Sequence, residues 1–140
     1  MTYGNLKLLV TGLLIGDNVL PKDDNVIKQL LEYSFSMVSD TAEALHLLTL
    51  NKDQEDIQRF AHGEYLMRKP KLPESDNDEL DIDHELCFAL ARFIASMISK
   101  EKMAIHQNEA NNIILKYNGK VYQILDNLTT LDNLTIKDKE

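Results

Sequence analysis

The sequence predicts a mostly helical protein, built as a small helical bundle around a central helix near 82–99. Three observations favour this class. The run over 82–99 is the longest apolar-rich stretch, and its apolar residues recur at helical spacing around most of the helix. The run over 24–48 keeps the same spacing almost throughout. The run over 103–117 places its apolar residues on one side of a further helix.

The central helix is expected to begin in an acidic segment and to be apolar on most sides. Asp81 is the predicted N-cap, and Asp83 and Glu85 place negative charge in the first turn, where the helix dipole favours it. A helix of this kind lies inside a domain, so core packing is its expected role. Its predicted apolar face comprises Ile82, Leu86, Ala89, Leu90, Phe93, Ile94, Met97 and Ile98.

Two further helices are predicted in the N-terminal third of the chain. Apolar residues over 6–15 favour a helix, and a strand is the alternative because the run is short and partly β-branched. The helix over 24–48 is expected to be capped by Asp23 or Asp24. Its pattern is interrupted at 39–40, which predicts either a kink or a division into two helices.

The C-terminal part is predicted to divide into a fourth helix and a tail. The Asn-Gly pair at 118–119 is a strong helix stop. Beyond it the block LDNLT occurs twice with a period of six residues, which is too few copies for a repeat fold. We therefore expect one helical domain over 1–124 and a flexible C-terminal tail over 125–140.

Helical periodicity fails over 57–73, where we expect a short β-hairpin or an extended arm. Two short segments flank His62 and Gly63, and a residue pair ending in glycine is common in two-residue hairpin turns. Gly63 is therefore predicted to have a positive φ. Pro70 and Pro73 are expected to keep the following residues extended.

The arm ends in basic residues, and an acidic loop over 74–81 follows at once. The stretch 74–85 carries seven carboxylates and no lysine or arginine. Because the prolines hold the junction extended, we expect both charged blocks to stay apart within one chain and to meet a neighbouring copy. Exposed ion pairs contribute only about 0–1 kcal/mol each, so apolar arm residues should supply most of the affinity. The predicted partner-contact residues are Tyr65, Leu66, Met67, Arg68, Lys69, Lys71, Asp76, Asp78 and Glu79.

Composition and motifs argue against several functions. A net charge of −8 disfavours binding to nucleic acid or to an anionic membrane, and no apolar run is long enough to span a bilayer. The single cysteine, Cys87, excludes an internal disulfide and is expected to be buried. The pair at 84–85 resembles the start of a zinc-protease helix, but Phe88 replaces its second histidine. The acidic loop lacks the third oxygen ligand and the glycine of an EF-hand. No catalytic residue, metal or cofactor is therefore predicted.

The middle of the chain resembles a class of phage proteins. The segment YLMRKPKLP over 65–73 is followed by SDNDE over 75–79 and then by LDIDHEL over 80–86, which opens an apolar helix. In this order the segments resemble the small head–tail connector or adaptor proteins of tailed bacteriophages, over about 57–117. The resemblance implies a mostly helical subunit with an extended arm, which assembles as a ring below the portal.

Two functions follow as hypotheses. The resemblance implies a virion structural protein of the neck, present in the host cytoplasm during assembly, with its own copies, the portal protein and tail proteins as partners. No catalytic residues come with that class. The alternative is a small acidic helical interaction or regulatory module, such as an inhibitor whose acidic loop mimics nucleic acid.

Overall fold

The structure is a computed structural model that describes residues 1–16, 18–50, 56–61 and 65–138, with side chains as far as residue 124. The predicted mostly helical class is confirmed. The elements are α1 (Tyr3–Leu13), α2 (Asp24–Thr41), a 3₁₀ turn (Leu45–Leu47), β1 (Leu48–Thr49), β2 (Ile57–Phe60), β3 (Leu66–Arg68), α3 (His84–Ile98) and α4 (Met103–Asp138).

The central helix of the sequence prediction is α3, and it packs against α1, α2 and α4. Phe93 is buried near its middle, as expected, and Cys87 is fully buried as well. Three buried alanines, Ala89, Ala91 and Ala95, allow the neighbouring helices to approach closely. The apolar periodicity therefore predicted both the position and the role of this helix.

The ends of the first two helices agree only in part with the expectations. The first run is a helix rather than a strand, and Thr2 Oγ1 caps it by accepting a hydrogen bond from the Asn5 N–H at 3.2 Å. Asp23 caps α2 by accepting from the Asn25 N–H at 2.9 Å. However, α2 ends at Thr41, and the predicted continuation to 48 forms the 3₁₀ turn and β1 instead.

The start of α3 corrects a second expectation. The N-cap residue of α3 is Asp83, and the helix begins at His84. Asp81, the predicted N-cap, lies two residues earlier, and its carboxylate binds other segments of the chain instead. Of the two acidic residues predicted in the first turn, Glu85 lies there and Asp83 is the N-cap instead.

The predicted hairpin is present as the antiparallel pair β2 and β3, within a three-stranded sheet of order β1-β3-β2. Strand β1, which the sequence did not predict, pairs with β3 through Leu48 opposite Met67. The prediction for Gly63 lies outside the described residues.

Helix α4 runs through the helix stop predicted at 118–119. It continues through Asn118 and Gly119 to Asp138, so the predicted helix stop is wrong, and the backbone of the predicted tail continues α4. The Asn118 side chain instead donates to the Thr41 carbonyl at 2.9 Å and accepts from the Glu43 N–H at 2.8 Å. Asn118 therefore does not end its own helix; it binds the backbone at the end of α2 instead.

Candidate functional site

The described end of the hairpin carries two exposed aromatic side chains. Phe60 is 81% exposed and Tyr65 is 44% exposed. Phe60 is paired with Leu66, and the Ala61 N–H donates to the Tyr65 carbonyl at 3.0 Å. Tyr65 precedes Leu66 on its strand, so the two aromatic side chains stand at the same end of the ladder but on opposite faces of it. Large exposed aromatics of this kind are typical anchors in protein interfaces.

The base of the hairpin is part of the core. Met67 is fully buried and Leu66 is buried on the same strand. In the folded chain these two side chains are already covered by the chain itself, so they present little surface to a partner. Only Tyr65 of the three predicted apolar contact residues presents substantial surface.

Asp81 connects the arm to the loop that follows it. Its carboxylate accepts from both terminal nitrogens of Arg68, with Oδ1 2.8 Å from Nη2, and from the Lys71 N–H at 2.8 Å. His46 Nε2 lies 2.8 Å from the same Oδ1. The predicted separation of the basic and acidic blocks is thus wrong at Arg68, because 71–80 forms a loop that returns Asp81 to the guanidinium.

These contacts determine the pKa of the Asp81 carboxyl. Burial alone would raise the pKa of the Asp81 carboxyl, but the hydrogen bonds from Arg68, the Lys71 N–H and His46 outweigh it and lower the pKa to about 2. Asp81 is therefore ionised at neutral pH. A bidentate arginine–carboxylate pair is also directional, so it holds the arm in one orientation relative to the loop.

The acidic loop is bound along its length by the start of α1. The Tyr3 N–H donates to the Asp78 carbonyl and the Gly4 N–H to the Asp76 carbonyl, both at 2.9 Å. Lys7 Nζ lies 2.6 Å from Asp76 Oδ1. Asp78 Oδ2 accepts from the N–H groups of 74 and 75, which lowers the pKa of its carboxyl. The exposed carboxylate of Glu79 lies on the same loop.

Lys69 and Lys71 are the exposed basic residues of the arm. Together with Glu32 of α2 and Asp56 they line a cleft of about 610 Å³ between α2 and the arm. Both signs of charge meet across this cleft. The structure therefore brings two of the predicted site residues together with carboxylates that the sequence did not place there.

A second concavity lies on another side of the molecule, between α1, α3 and α4. This groove has a volume of about 390 Å³. Its apolar lining is Leu9, Leu13, Phe88 and Ile113, and its charged lining is Glu85, Arg92, Glu109, Lys116 and Lys120. Sequence reasoning missed this groove because it treated Leu9, Leu13 and Phe88 as ordinary members of apolar runs.

Arg59 is another residue that sequence reasoning missed. Its Nε donates to the Ser39 carbonyl at 2.9 Å and its Nη2 to the Ala42 carbonyl at 3.0 Å. The last carbonyls of a helix have no partner within the helix, so Arg59 caps α2 from strand β2. A lone arginine in a short β segment gave no signal of this role.

The described residues show no group of three or more His, Cys, Asp or Glu side chains that could hold a metal ion. Burial raises the pKa of the Cys87 thiol to about 11, which keeps it protonated at neutral pH. Among the helices in the described ranges, none is both long enough and apolar enough to cross a membrane.

Comparison with family models, curated proteins and solved structures finds no match to this chain.

Proposed function

We propose that this chain is a structural protein that acts by association, a subunit of the head–tail connector class of tailed bacteriophages. In this proposal its copies form a ring in the virion neck, after assembly in the host cytoplasm. The ring docks to the portal protein and to tail proteins. The role is structural rather than enzymatic and uses no cofactor.

The aromatic end of the hairpin is the observation that carries this proposal. Phe60 and Tyr65 expose apolar surface at one end of an arm whose other end is fixed in the core by Met67 and tied to Asp81 by Arg68. A fixed base lowers the entropy lost on docking, because the arm is already oriented. The two aromatic side chains supply apolar contact on both faces of the arm, and Lys69 and Lys71 would guide the orientation of docking.

The nucleic-acid mimic receives less support from the acidic loop. A mimic needs carboxylates that face solvent in a regular array. Here the Asp81 carboxylate is held by Arg68, and Asp76 is contacted by Lys7. Asp78 accepts two backbone hydrogen bonds. These contacts give the loop a role in joining α1 to the arm.

The proposal is tested by removing the aromatic end of the arm. The variant Phe60→Ser with Tyr65→Ser should keep the helical fold, since both side chains are exposed. We expect it to lose at least about tenfold in cosedimentation with portal rings encoded by the same genome, a loss of roughly 1.4 kcal/mol. Val19→Ser with Tyr33→Ser is the matched control, because these residues are similarly exposed elsewhere.

Equal portal binding by the hairpin variant and the wild type would exclude the arm as the docking element. Absence of portal binding by the wild type, together with capture of a DNA-binding protein, would favour the acidic module instead. Circular dichroism of each variant checks that the helices remain.

A further inference from the structure

We propose that the α4 segment 124–135 of one copy docks as a helix into the groove between α1, α3 and α4 of the next copy. This contact deepens the proposed ring assembly and rests on it. It joins two different surfaces of the chain, one on each copy. A contact of this kind is head-to-tail, and repeated around a rotation axis it closes a ring.

The groove offers an apolar floor that the folded chain leaves partly uncovered. Phe88 is 41% exposed although it lies on the most buried helix of the fold. Leu9, Leu13 and Ile113 flank it and are only half-buried. A volume of about 390 Å³ accommodates a few aliphatic side chains. Helix-in-groove recognition uses such a floor to receive apolar residues spaced three or four apart.

The C-terminal half of α4 has the matching pattern. The buried positions Ala110, Ile114, Tyr117 and Val121 repeat at intervals of four and three residues. The same intervals continue in the sequence at 124, 128 and 131, which are isoleucine and two leucines. Ile124 is already 50% exposed. The apolar spacing of α4 therefore continues in the sequence beyond the last described buried residue, Val121.

The groove of the same copy is not accessible to this segment. Residues 109–120 of α4 form one wall of the groove, and α4 continues as one helix to Asp138. At 1.5 Å per residue, the segment 125–138 extends about 20 Å further along the same axis. A helix cannot return to its own side wall without a break, so the occupant must come from a second copy.

The excess of positive charge at the groove rim favours an occupant that carries carboxylates. Three cations, Arg92, Lys116 and Lys120, line the groove against two carboxylates, Glu85 and Glu109. Lys120 Nζ is 3.0 Å from Glu85 Oε2. Lys116 is exposed at the rim. In the sequence, Asp132 follows the apolar position 131 directly and borders the stripe on the helix. An aspartate there would face the rim cations while the leucines enter the floor.

The segment is tested in the full-length chain by light scattering after size exclusion, over a concentration series. Leu128→Asp with Leu131→Asp places two charges on the stripe and should convert the concentration-dependent oligomer to a monomer. Thr130→Asp with Asn133→Asp adds the same charge on the opposite side of the helix and should leave the oligomer unchanged. A wild type that is monomeric throughout, or equal effects of the two pairs, would overturn the proposal.

The groove is tested by Phe88→Asp, and by Lys116→Glu should the first variant fail to fold. Each should also give a monomer. The decisive experiment mixes the Leu128→Asp, Leu131→Asp protein with the groove variant. The former keeps an intact groove and the latter keeps an intact C-terminal segment, so one contact can form between them. We expect a dimer of the two variants and nothing larger.

A pairing of two C-terminal segments with each other predicts a different result. The groove variant would then still self-associate on its own, and the mixture would form no dimer that contains both variants. Either result would overturn the proposal. Docking of the arm to portal rings is measured separately with the same proteins. Failure of the groove contact with portal binding retained is thus distinguishable from failure of the connector function.

Discussion

At the residue scale, Asp81 shows how a single carboxylate holds three segments of the chain together. It receives the Arg68 guanidinium, the Lys71 N–H and His46, so the arm, the turn after it and the segment before β1 meet at one group. Together, these hydrogen bonds hold the pKa of the Asp81 carboxyl at about 2. The charged form is therefore the one that stabilises the fold.

Replacing this carboxylate should produce a pH-dependent loss of stability. The pKa of Asp81 in the folded chain lies below its ordinary value of 3.8. Its contribution is therefore complete above about pH 4 and is lost as the pH falls through about 2. We expect Asp81→Asn to lower the unfolding free energy by about 2 kcal/mol at pH 7. The difference from the wild type should shrink between pH 4 and pH 2.

Urea unfolding at several pH values measures this difference. Glu101→Gln serves as the control, because Glu101 is exposed in the loop before α4. It should follow the wild-type curve at every pH. A constant gap between Asp81→Asn and the wild type from pH 7 to pH 2 would contradict the assigned role of the charge.

Gly4 is the second residue whose identity the structure explains. A Cβ at Gly4 would lie 3.1 Å from the Asp76 carbonyl oxygen and 3.3 Å from Asp76 Cβ, whereas a Cβ at Gly12 meets nothing within 4 Å. Both glycines lie in α1, where alanine is ordinarily favoured by about 0.5–1 kcal/mol. The two positions therefore form a matched pair.

We expect Gly12→Ala to raise the melting temperature and Gly4→Ala to lower it. The Gly4 N–H donates to the Asp76 carbonyl, so the neighbour is a bonded backbone that must move to admit a methyl group. Thermal unfolding followed by circular dichroism compares the two variants directly. Equal stabilisation by both would show that the acidic loop does not pack tightly on α1.

At the scale of elements, α4 shows a helix running through a sequence that ordinarily ends one. Gly119 has no positive φ; among the described residues only Gly16, with φ 81°, has one. Asn118 is engaged with Thr41 and Glu43 of the α2 end. A bond across the fold thus overrides the local preference of the Asn-Gly pair.

Whether replacing Gly119 with alanine raises or lowers the unfolding free energy shows whether α4 is continuous or ends at this residue. In a continuous α4, Gly119→Ala should stabilise the protein by about 0.5–1 kcal/mol, because alanine loses less backbone entropy on folding. Gly16→Ala is the reference for a left-handed position and should destabilise it by about 1 kcal/mol. Chemical denaturation measures both. Destabilisation by Gly119→Ala would mean that α4 ends there.

At the scale of the whole molecule, the arm and the acidic loop behave as parts of the folded body. The loop is bonded to α1 through Asp76 and to the arm through Asp81, and the sheet is anchored by Met67. The three basic residues of the arm are consequently not equivalent. Arg68 belongs to the fold, and the side chains of Lys69 and Lys71 are exposed.

Charge reversal should separate these two roles. Arg68→Glu places a second anion beside Asp81 and should lower the unfolding free energy by about 3 kcal/mol, since it leaves a partly buried charge unpaired. Lys69→Glu with Lys71→Glu should leave the melting temperature within a few degrees of the wild type.

Thermal unfolding of both variants checks this contrast. Arg68→Glu combined with Asp81→Arg should recover part of the loss, because the pair is restored with the charges exchanged. Equal melting temperatures for Arg68→Glu and the lysine variant would show that the ion pair contributes nothing to the fold. The lysine variant is also the appropriate one for testing whether these charges guide the proposed portal docking, because its fold is expected to stay intact.

The sequence by itself determined the presence of the helices, though not the ends of α2 and α4. It also determined the buried face of α3 around Phe93 and the hairpin, since each depends on periodicity or turn chemistry within a short window. Only the tertiary structure decided the roles of Asp81 and Asn118, the strand β1, the capping of α2 by Arg59 and the groove beside Phe88. Asn118 bonds Thr41 from 77 residues away, and Arg68 meets Asp81 across two prolines. Local propensities carry no information about such partners. Those contacts arise once the core has brought distant segments together, and they determined which arm residues stayed exposed.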